Sequence, residues 1–433
     1  MFEWHNGRLV CQGIAAKDLA AEFGTPLYVY DLDLLVSRYR RIRDAFAPLD
    51  ESRGGAGLML AYSCKANGHR AILQALAAEG SAFDIVSVGE LMRIRAADIS
   101  PDRVIFAGVG KSRREIEAAL VAGVFCFNVE SAAEASRINS IAGAMGVRAP
   151  IALRLNPEVD AQTHNFITTG RKGDKFGIAL EVARELIQRF ATDFPHLRLR
   201  GFHAHIGSQI KLTDRHAQSL ARLESYLAEL RAENLLPELE FINLGGGFGI
   251  AYQEGDTEID IQAVAESIVP RVRNLGLKLL LEPGRFIVGP SGALLTSVEY
   301  IKEGNGKRFI IVDAAMTELI RPSIYGAYHR ILPADKPSEA ATIQPADVVG
   351  PVCESTDFLA KDRPMPPMAE GEVLAILDAG AYGVVMASNY NTRPRPAEVA
   401  IRHGRAFLIS PRQETADLLA HELPLAPQHI GGN

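Results

Sequence analysis

Between about residues 58 and 285, short apolar runs alternate with amphipathic stretches of helical period. The runs are Leu58–Ser63, Ala82–Val86, Arg103–Ala107, Val124–Val129, Ile151–Leu155, Arg200–His205, Glu240–Leu244 and Lys278–Leu281. Each carries apolar residues on both faces, as expected of a strand buried on both sides. Between them the spacing predicts helices at Gly89–Ala97, Arg113–Ala122, Ala132–Met145, Glu181–Phe190, Asp214–Glu233 and Ile259–Asn274. Eight strands joined by crossover helices imply a parallel sheet, most economically closed into a (β/α)8 TIM-like barrel; a doubly wound open sheet is the alternative.

After Gly289 the pattern changes to short β-rich runs with Pro/Gly turns, at Val298–Lys302, Arg308–Val312, Asp347–Val352, Val373–Leu377 and Val399–Ile401. The expected organisation is a barrel over 30–288 and a separate C-terminal β domain over 289–433. Strands from 1–29, around Arg8–Val10 and Leu27–Tyr30, are expected to join the latter. The long polar connection Asn156–Gly177 is expected to be a lid or binding loop, and Gln428–Asn433 a frayed tail.

A net charge of −6 offers no basic field for nucleic acid. The four cysteines, Cys11, Cys64, Cys126 and Cys353, are scattered and suit free thiols in a reducing compartment. Met1–Arg8 has no leader-like pattern, and no apolar run approaches the roughly 18–20 residues that span a bilayer. A cytoplasmic protein without membrane contact is expected.

Barrel enzymes work at the C-terminal ends of their strands, and the unusual residues of this chain fall there. Lys65 closes the first run. Burial of an unpaired amine drives it toward its neutral, nucleophilic form, although a lysine can also snorkel at a strand end. Asp84 and Ser87–Glu90 end the second strand, and Arg154 lies in the fifth. His203-Ala204-His205-Ile206-Gly207-Ser208 ends the sixth, Gly245-Gly246-Gly247 the seventh and Glu282-Pro283-Gly284-Arg285 the eighth. The glycines suit a phosphate cradle, with Ser208 as a further donor, or else a plain turn. His203-x-His205 has the spacing of metal ligands, but further ligands are not evident and no metal is expected. A Schiff-base lysine, a phosphate cradle, a flat imidazole and a carboxylate for a ring nitrogen together suggest pyridoxal 5'-phosphate.

Tyr62-Ser63-Cys64-Lys65-Ala66-Asn67, His205-Ile206-Gly207-Ser208, Gly245–Gly247 and Glu282–Arg285 resemble the fold-type III pyridoxal-phosphate decarboxylases over nearly the whole chain. The resemblance implies a head-to-tail homodimer with active sites shared between subunits. Lys65 would carry the cofactor, His205 would stack on its ring and Glu282 would bind the pyridine nitrogen. Asp84, Ser208, Gly245, Gly246, Gly247, Gly284, Arg285 and Tyr382 would hold its phosphate or neighbouring groups.

Leu319-Ile320-Arg321-Pro322-Ser323-Ile324-Tyr325 is similar to the motif of members that act on diaminopimelate. It implies decarboxylation of meso-2,6-diaminopimelate to L-lysine and CO2; the alternative is another basic amino acid, namely ornithine, arginine, lysine or carboxynorspermidine. Arg285, Arg321, Tyr325, Glu354 and Tyr382 would bind the substrate, with arginine suited to a distal carboxylate. Cys353 resembles the proton donor and would reach the partner subunit's barrel. Val88 departs from the small residue more often found before Gly-Glu.

Overall fold

The computed structural model describes residues 1–159, 176–235, 238–304 and 306–425. The chain divides into two compact units. One comprises Met1, Asp31–Gly292 and Asp378–Val385; the other comprises Phe2–Tyr30, Ala293–Leu377 and Met386–Asn433.

The first unit is a closed parallel barrel: β1 (Leu58–Ser63), β2 (Ala82–Ile85), β3 (Val104–Phe106), β4 (Cys126–Val129), β5 (Ala149–Arg154), β6 (Leu197–His203), β7 (Phe241–Asn243) and β8 (Lys278–Leu281). All eight apolar runs become strands in the order the sequence predicts. The open sheet is excluded by closure, since β8 pairs with β1 through Leu279↔Leu58, Leu280↔Met59 and Leu281↔Leu60. The intervening helices start at side-chain caps where the sequence supplies them: Ser112 and Glu115 form a reciprocal capping box, and Asp260 accepts from Gln262 and Ala263.

The barrel interior is layered by the period of two along each strand. Ala61, Ala82, Ile105, Cys126, Ala152, Phe241 and Leu280, one from each of seven strands, pack into a single apolar cluster. At the equivalent place β6 has Gly201, where a Cβ would sit 2.5 Å from the Phe241 ring, so glycine makes room for that ring. Two residues further along come Ser63, Asp84, Asn128, Arg154, His203, Asn243 and Glu282, all buried. An apolar floor thus carries a polar layer at the strand ends.

The second unit contains a nine-stranded mixed sheet. Its main order is Phe358–Met365, Gln344–Val349, Lys307–Val312, Gly292–Gly304, Leu27–Asp31, Ala397–Arg402 and Arg405–Ser410. Val373–Ile376 pairs with Gly292–Gly304 and with Ile331–Pro333. Arg8–Cys11 instead forms a small sheet with Glu3–His5 and Ile14–Ala15. At one edge Phe358–Met365 is interrupted by Lys361-Asp362-Arg363 and carries Pro364; at the other, Arg405–Ser410 leaves its Ala406-Phe407-Leu408-Ile409 run largely solvated.

Among the described residues no helix is long and apolar enough to cross a membrane. The loop motifs Thr163–Asn165, Ile167–Gly170, Arg171–Gly173 and Lys175, and the tail Gln428–Asn433, lie outside the described residues.

Candidate active site

Lys65 sits in the single helical turn Cys64–Ala66 that follows β1. Its Nζ donates to Asp84 Oδ2 at 2.8 Å, and the Ser63 hydroxyl donates to the same oxygen at 3.0 Å. Asp84 is fully buried, whereas the Lys65 side chain keeps 38% of its surface exposed. Burial pushes the Lys65 amine down, but Asp84, then Tyr382 and Glu282, outweigh it and hold the amine above its ordinary range. The free amine is therefore charged. Burial by itself suggests a neutral one; the carboxylate of the neighbouring strand reverses the sign.

Glu282 follows β8 directly. Its Oε1 accepts from Asn243 Nδ2 at 2.7 Å and Asn128 Nδ2 at 3.2 Å, and His203 Nε2 lies 3.3 Å from Oε2. Burial pushes this carboxyl up; His203 and then Lys65 prevail and hold it well below the usual range. The ionised form is thus built in. The Asn243 amide has its orientation fixed, because its Oδ1 accepts from the Gly245 N–H at 2.9 Å.

His205 accepts from the Gly246 N–H through Nδ1 at 3.2 Å, which places its own proton on Nε2. Burial, helped by Arg154 and Lys65, lowers its pKa well below the ordinary value, so the ring is neutral. His203 and His205 are therefore directed to Glu282 and to a backbone amide, rather than jointly to a metal.

The glycines after β7 answer to close packing. A Cβ on Gly246 would lie 2.0 Å from the Glu282 carbonyl oxygen, and Gly247 has φ +90°. Two of the three amides, those of Gly245 and Gly246, already donate to Asn243 and His205. Arg285 adds a cation nearby, with Nη2 on Ser208 Oγ at 3.0 Å, Nη1 on the Tyr252 hydroxyl at 2.7 Å, and its guanidinium 4.9 Å from the Tyr382 ring centre. Tyr382 has φ +56°, rare for a bulky residue, and its N–H donates to the Ala66 carbonyl at 2.9 Å beside Lys65. Gly284 lies against Ser63 and Ala66, where a Cβ would stand 3.1 Å from each of their Cβ atoms.

These residues fit an anionic aldehyde cofactor. Lys65 would offer an amine, Arg285 and Ser208 donors for a phosphate and Glu282 an acceptor for a ring N–H, and buried Asp84 Oδ1 has no hydrogen-bond partner among the described residues.

The other expected residues belong to the second unit. Arg321 and Tyr325 bound the short helix Arg321–Tyr325; Arg321 is buried and Tyr325 half-buried. Cys353 and Glu354 are exposed on a loop held by Asp357, which accepts from the Val352 N–H at 2.7 Å and the Met316 N–H at 2.6 Å. Ser323 ties the helix to that loop by donating to the Thr356 carbonyl at 2.6 Å. Cys11, Cys64 and Cys126 are buried, and Cys353 is the exposed thiol.

Sequence reading passed over Ser63, Asn128 and Asn243, whose signal is a polar residue two places beyond an apolar, inward-facing one. It also passed over the buried pairs behind them. Lys111 Nζ donates to Glu134, at 2.6 Å, and to the Asn128 carbonyl, at 2.7 Å; Arg154 pairs with Glu130 at 2.9 Å.

A lysine paired to a carboxylate at one strand end, an ionised carboxylate at another, and an arginine and a hydroxyl around them suit a barrel that holds a pyridoxal cofactor. Residues 32–289 match the family described as pyridoxal-dependent decarboxylase, pyridoxal binding domain, and the chain belongs to that family. It is 44% identical to a diaminopimelate decarboxylase of Neisseria meningitidis serogroup B, across 96% of this chain and 97% of the relative. A solved diaminopimelate decarboxylase of Helicobacter pylori, complexed with L-lysine, is 38% identical with a TM-score of 0.87, covering 93% of this chain and 98% of that one. The M. jannaschii enzyme of the same name, in co-complex with L-lysine, is 35% identical with a TM-score of 0.91, covering 98% of each chain.

Proposed function

We propose that this chain catalyses the pyridoxal-phosphate-dependent decarboxylation of meso-2,6-diaminopimelate to L-lysine and CO2, the last step of lysine biosynthesis. The observation that carries this reading is similarity along nearly the whole chain to relatives bearing that name, two of them solved with L-lysine. We take residues 30–288 as the cofactor barrel, supported by the family match over 32–289, and 289–433 with strands from 1–29 as the β domain, save that Asp378–Val385 belongs to the barrel unit.

Bound in the barrel, pyridoxal phosphate supplies an electron sink for the pair left at Cα when CO2 departs. Lys65 holds the cofactor through its amine, and Asp84 keeps that amine in place and charged until then. Glu282, held ionised, keeps a proton on the ring nitrogen, while Asn128 and Asn243 fix its orientation. Neutral His205 would stack on the face of the cofactor ring. Ser208, Gly247, Gly284, Arg285 and Tyr382 would hold the phosphate end, with Gly245 and Gly246 shaping the turn while their amides serve Asn243 and His205.

Arg285, Arg321, Tyr325, Glu354 and Tyr382 read the substrate. Arg321 suits a distal carboxylate, which a simple diamine precursor such as ornithine lacks. Cys353, with its exposed thiol, returns the proton to Cα across a cytoplasmic homodimer with shared sites.

The test is direct. Purified holoenzyme should release CO2 from meso-diaminopimelate with L-lysine as product, and borohydride reduction should place a pyridoxyl label on Lys65. Turnover of ornithine or lysine in preference to diaminopimelate would overturn the substrate, and label elsewhere would overturn the anchor.

A further inference from the structure

We infer that His329 is a positioning residue that aims the Arg321 guanidinium, and through it sets selectivity for substrates carrying a second carboxylate. The inference rests on the proposed role of Arg321. His329 is fully buried in the second unit, eight residues beyond Arg321. Its Nε2 lies 3.1 Å from Arg321 Nη1, and its Nδ1 lies 2.9 Å from the Leu377 carbonyl oxygen.

These two contacts determine the state of the ring. A guanidinium offers only donors, so Nε2 must accept; a carbonyl only accepts, so Nδ1 must carry the proton. One neutral tautomer satisfies both, and a protonated ring would turn an N–H toward Arg321. The imidazole is itself held in place, because the His329 carbonyl accepts from Arg363 Nη1 at 2.7 Å and the Arg363 guanidinium lies 3.7 Å from the Tyr328 ring centre.

A guanidinium grips a carboxylate with two parallel bonds only when its plane is correctly turned. An acceptor on Nη1, fixed at its far side by Leu377, sets that plane. No step of the chemistry needs His329; its effect is on recognition of the end of the substrate that does not react. That end is retained in L-lysine, so product affinity reports on it without turnover.

The experiment measures L-lysine affinity of the holoenzyme by calorimetry, along with KM and kcat for meso-diaminopimelate. The variants are His329→Asn, His329→Gln, Arg321→Ala and the Arg321→Ala/His329→Asn double. Asparagine keeps a donor for Leu377 but offers Arg321 no acceptor, while glutamine keeps the acceptor. Loss of one bond to a charged group is worth roughly ten- to a hundredfold, so His329→Asn should lose that much L-lysine affinity. KM should rise in step, with kcat and cofactor affinity little changed. His329→Gln should recover most of the loss, and the Asn change should add nothing once Arg321 is alanine.

Equal losses for Asn and Gln, or a full further loss on the Arg321→Ala background, would overturn the inference. If Arg321→Ala itself leaves L-lysine affinity intact, the reading of Arg321 fails instead. Should the His329 variants not fold, imidazole 15N shifts of the wild type decide: a bare Nε2 is required, and a protonated one overturns the proposal.

Discussion

Asn243 Nδ2 donates to Glu282 Oε1 at 2.7 Å, joining the end of one barrel strand to the end of the next. The donor is neutral, the acceptor charged, and both are buried. A bond of this kind contributes about 1.5–3 kcal/mol to holding the carboxylate.

From that pairing a graded loss of activity is expected. Glu282→Gln should still bind cofactor but lose turnover by orders of magnitude, because an amide cannot keep the ring nitrogen protonated. Asn243→Leu should reduce kcat roughly ten- to a hundredfold, the kinetic equivalent of one such bond. Asn243→Asp should be worse, since it sets a second carboxylate beside the first. The measurement is kcat together with cofactor affinity; a near-wild-type kcat in Glu282→Gln would mean that the ring is activated by another group.

The Glu318 carboxyl, buried among Ala315, Thr317 and Asp357, predicts a pH-dependent stability. Its Oε2 accepts from the Ala315 N–H at 2.7 Å and the Thr317 hydroxyl at 2.9 Å, yet burial dominates and pushes its pKa up to about 7. A raised acid favours the folded state's protonated form. Below the unfolded value of roughly 4.3 both states are protonated and the group has no effect. Stability is then lost as pH rises from there to about 7, and the penalty is constant above. Glu318→Gln removes the charge. Its melting temperature should match wild type near pH 4 and exceed it by several degrees at pH 8; a difference that does not grow with pH would count against a protonated Glu318.

How much of this was legible in the chain depends on what each residue touches. The eight barrel strands were readable because burial on both faces leaves short runs with apolar residues on each side. The edge strand Phe358-Leu359-Ala360-Lys361-Asp362-Arg363-Pro364-Met365 leaves no such run. Lys65 was conspicuous as a lysine closing an apolar strand, but its charge depends on Asp84, nineteen residues away and adjacent only once β1 and β2 pair. Asn128 and Asn243 look like ordinary strand-end polar residues. Their value appears only when barrel closure brings both to Glu282, 154 and 39 residues distant in sequence. The glycine run suggested bare amides, whereas the fold commits two of them to Asn243 and His205.

Cys353 and Lys65 lie in different units of the chain, and the proposed homodimer has each cysteine serve the barrel of the partner. Two inactive variants should then complement one another. Lys65→Ala chains retain the thiol, and Cys353→Ala chains retain the cofactor amine. Mixed, dissociated and reassociated, they should form heterodimers with one intact composite site. Random pairing in a two-fold dimer gives roughly a quarter of the wild-type sites, so roughly that share of wild-type activity should return, while each variant alone stays inactive. Native mass spectrometry of differently tagged chains would establish that heterodimers are present. If they form and the mixture stays inactive, Cys353 does not act across the interface; if Cys353→Ala alone keeps full turnover, another group returns the proton, and Lys65 is the first to test.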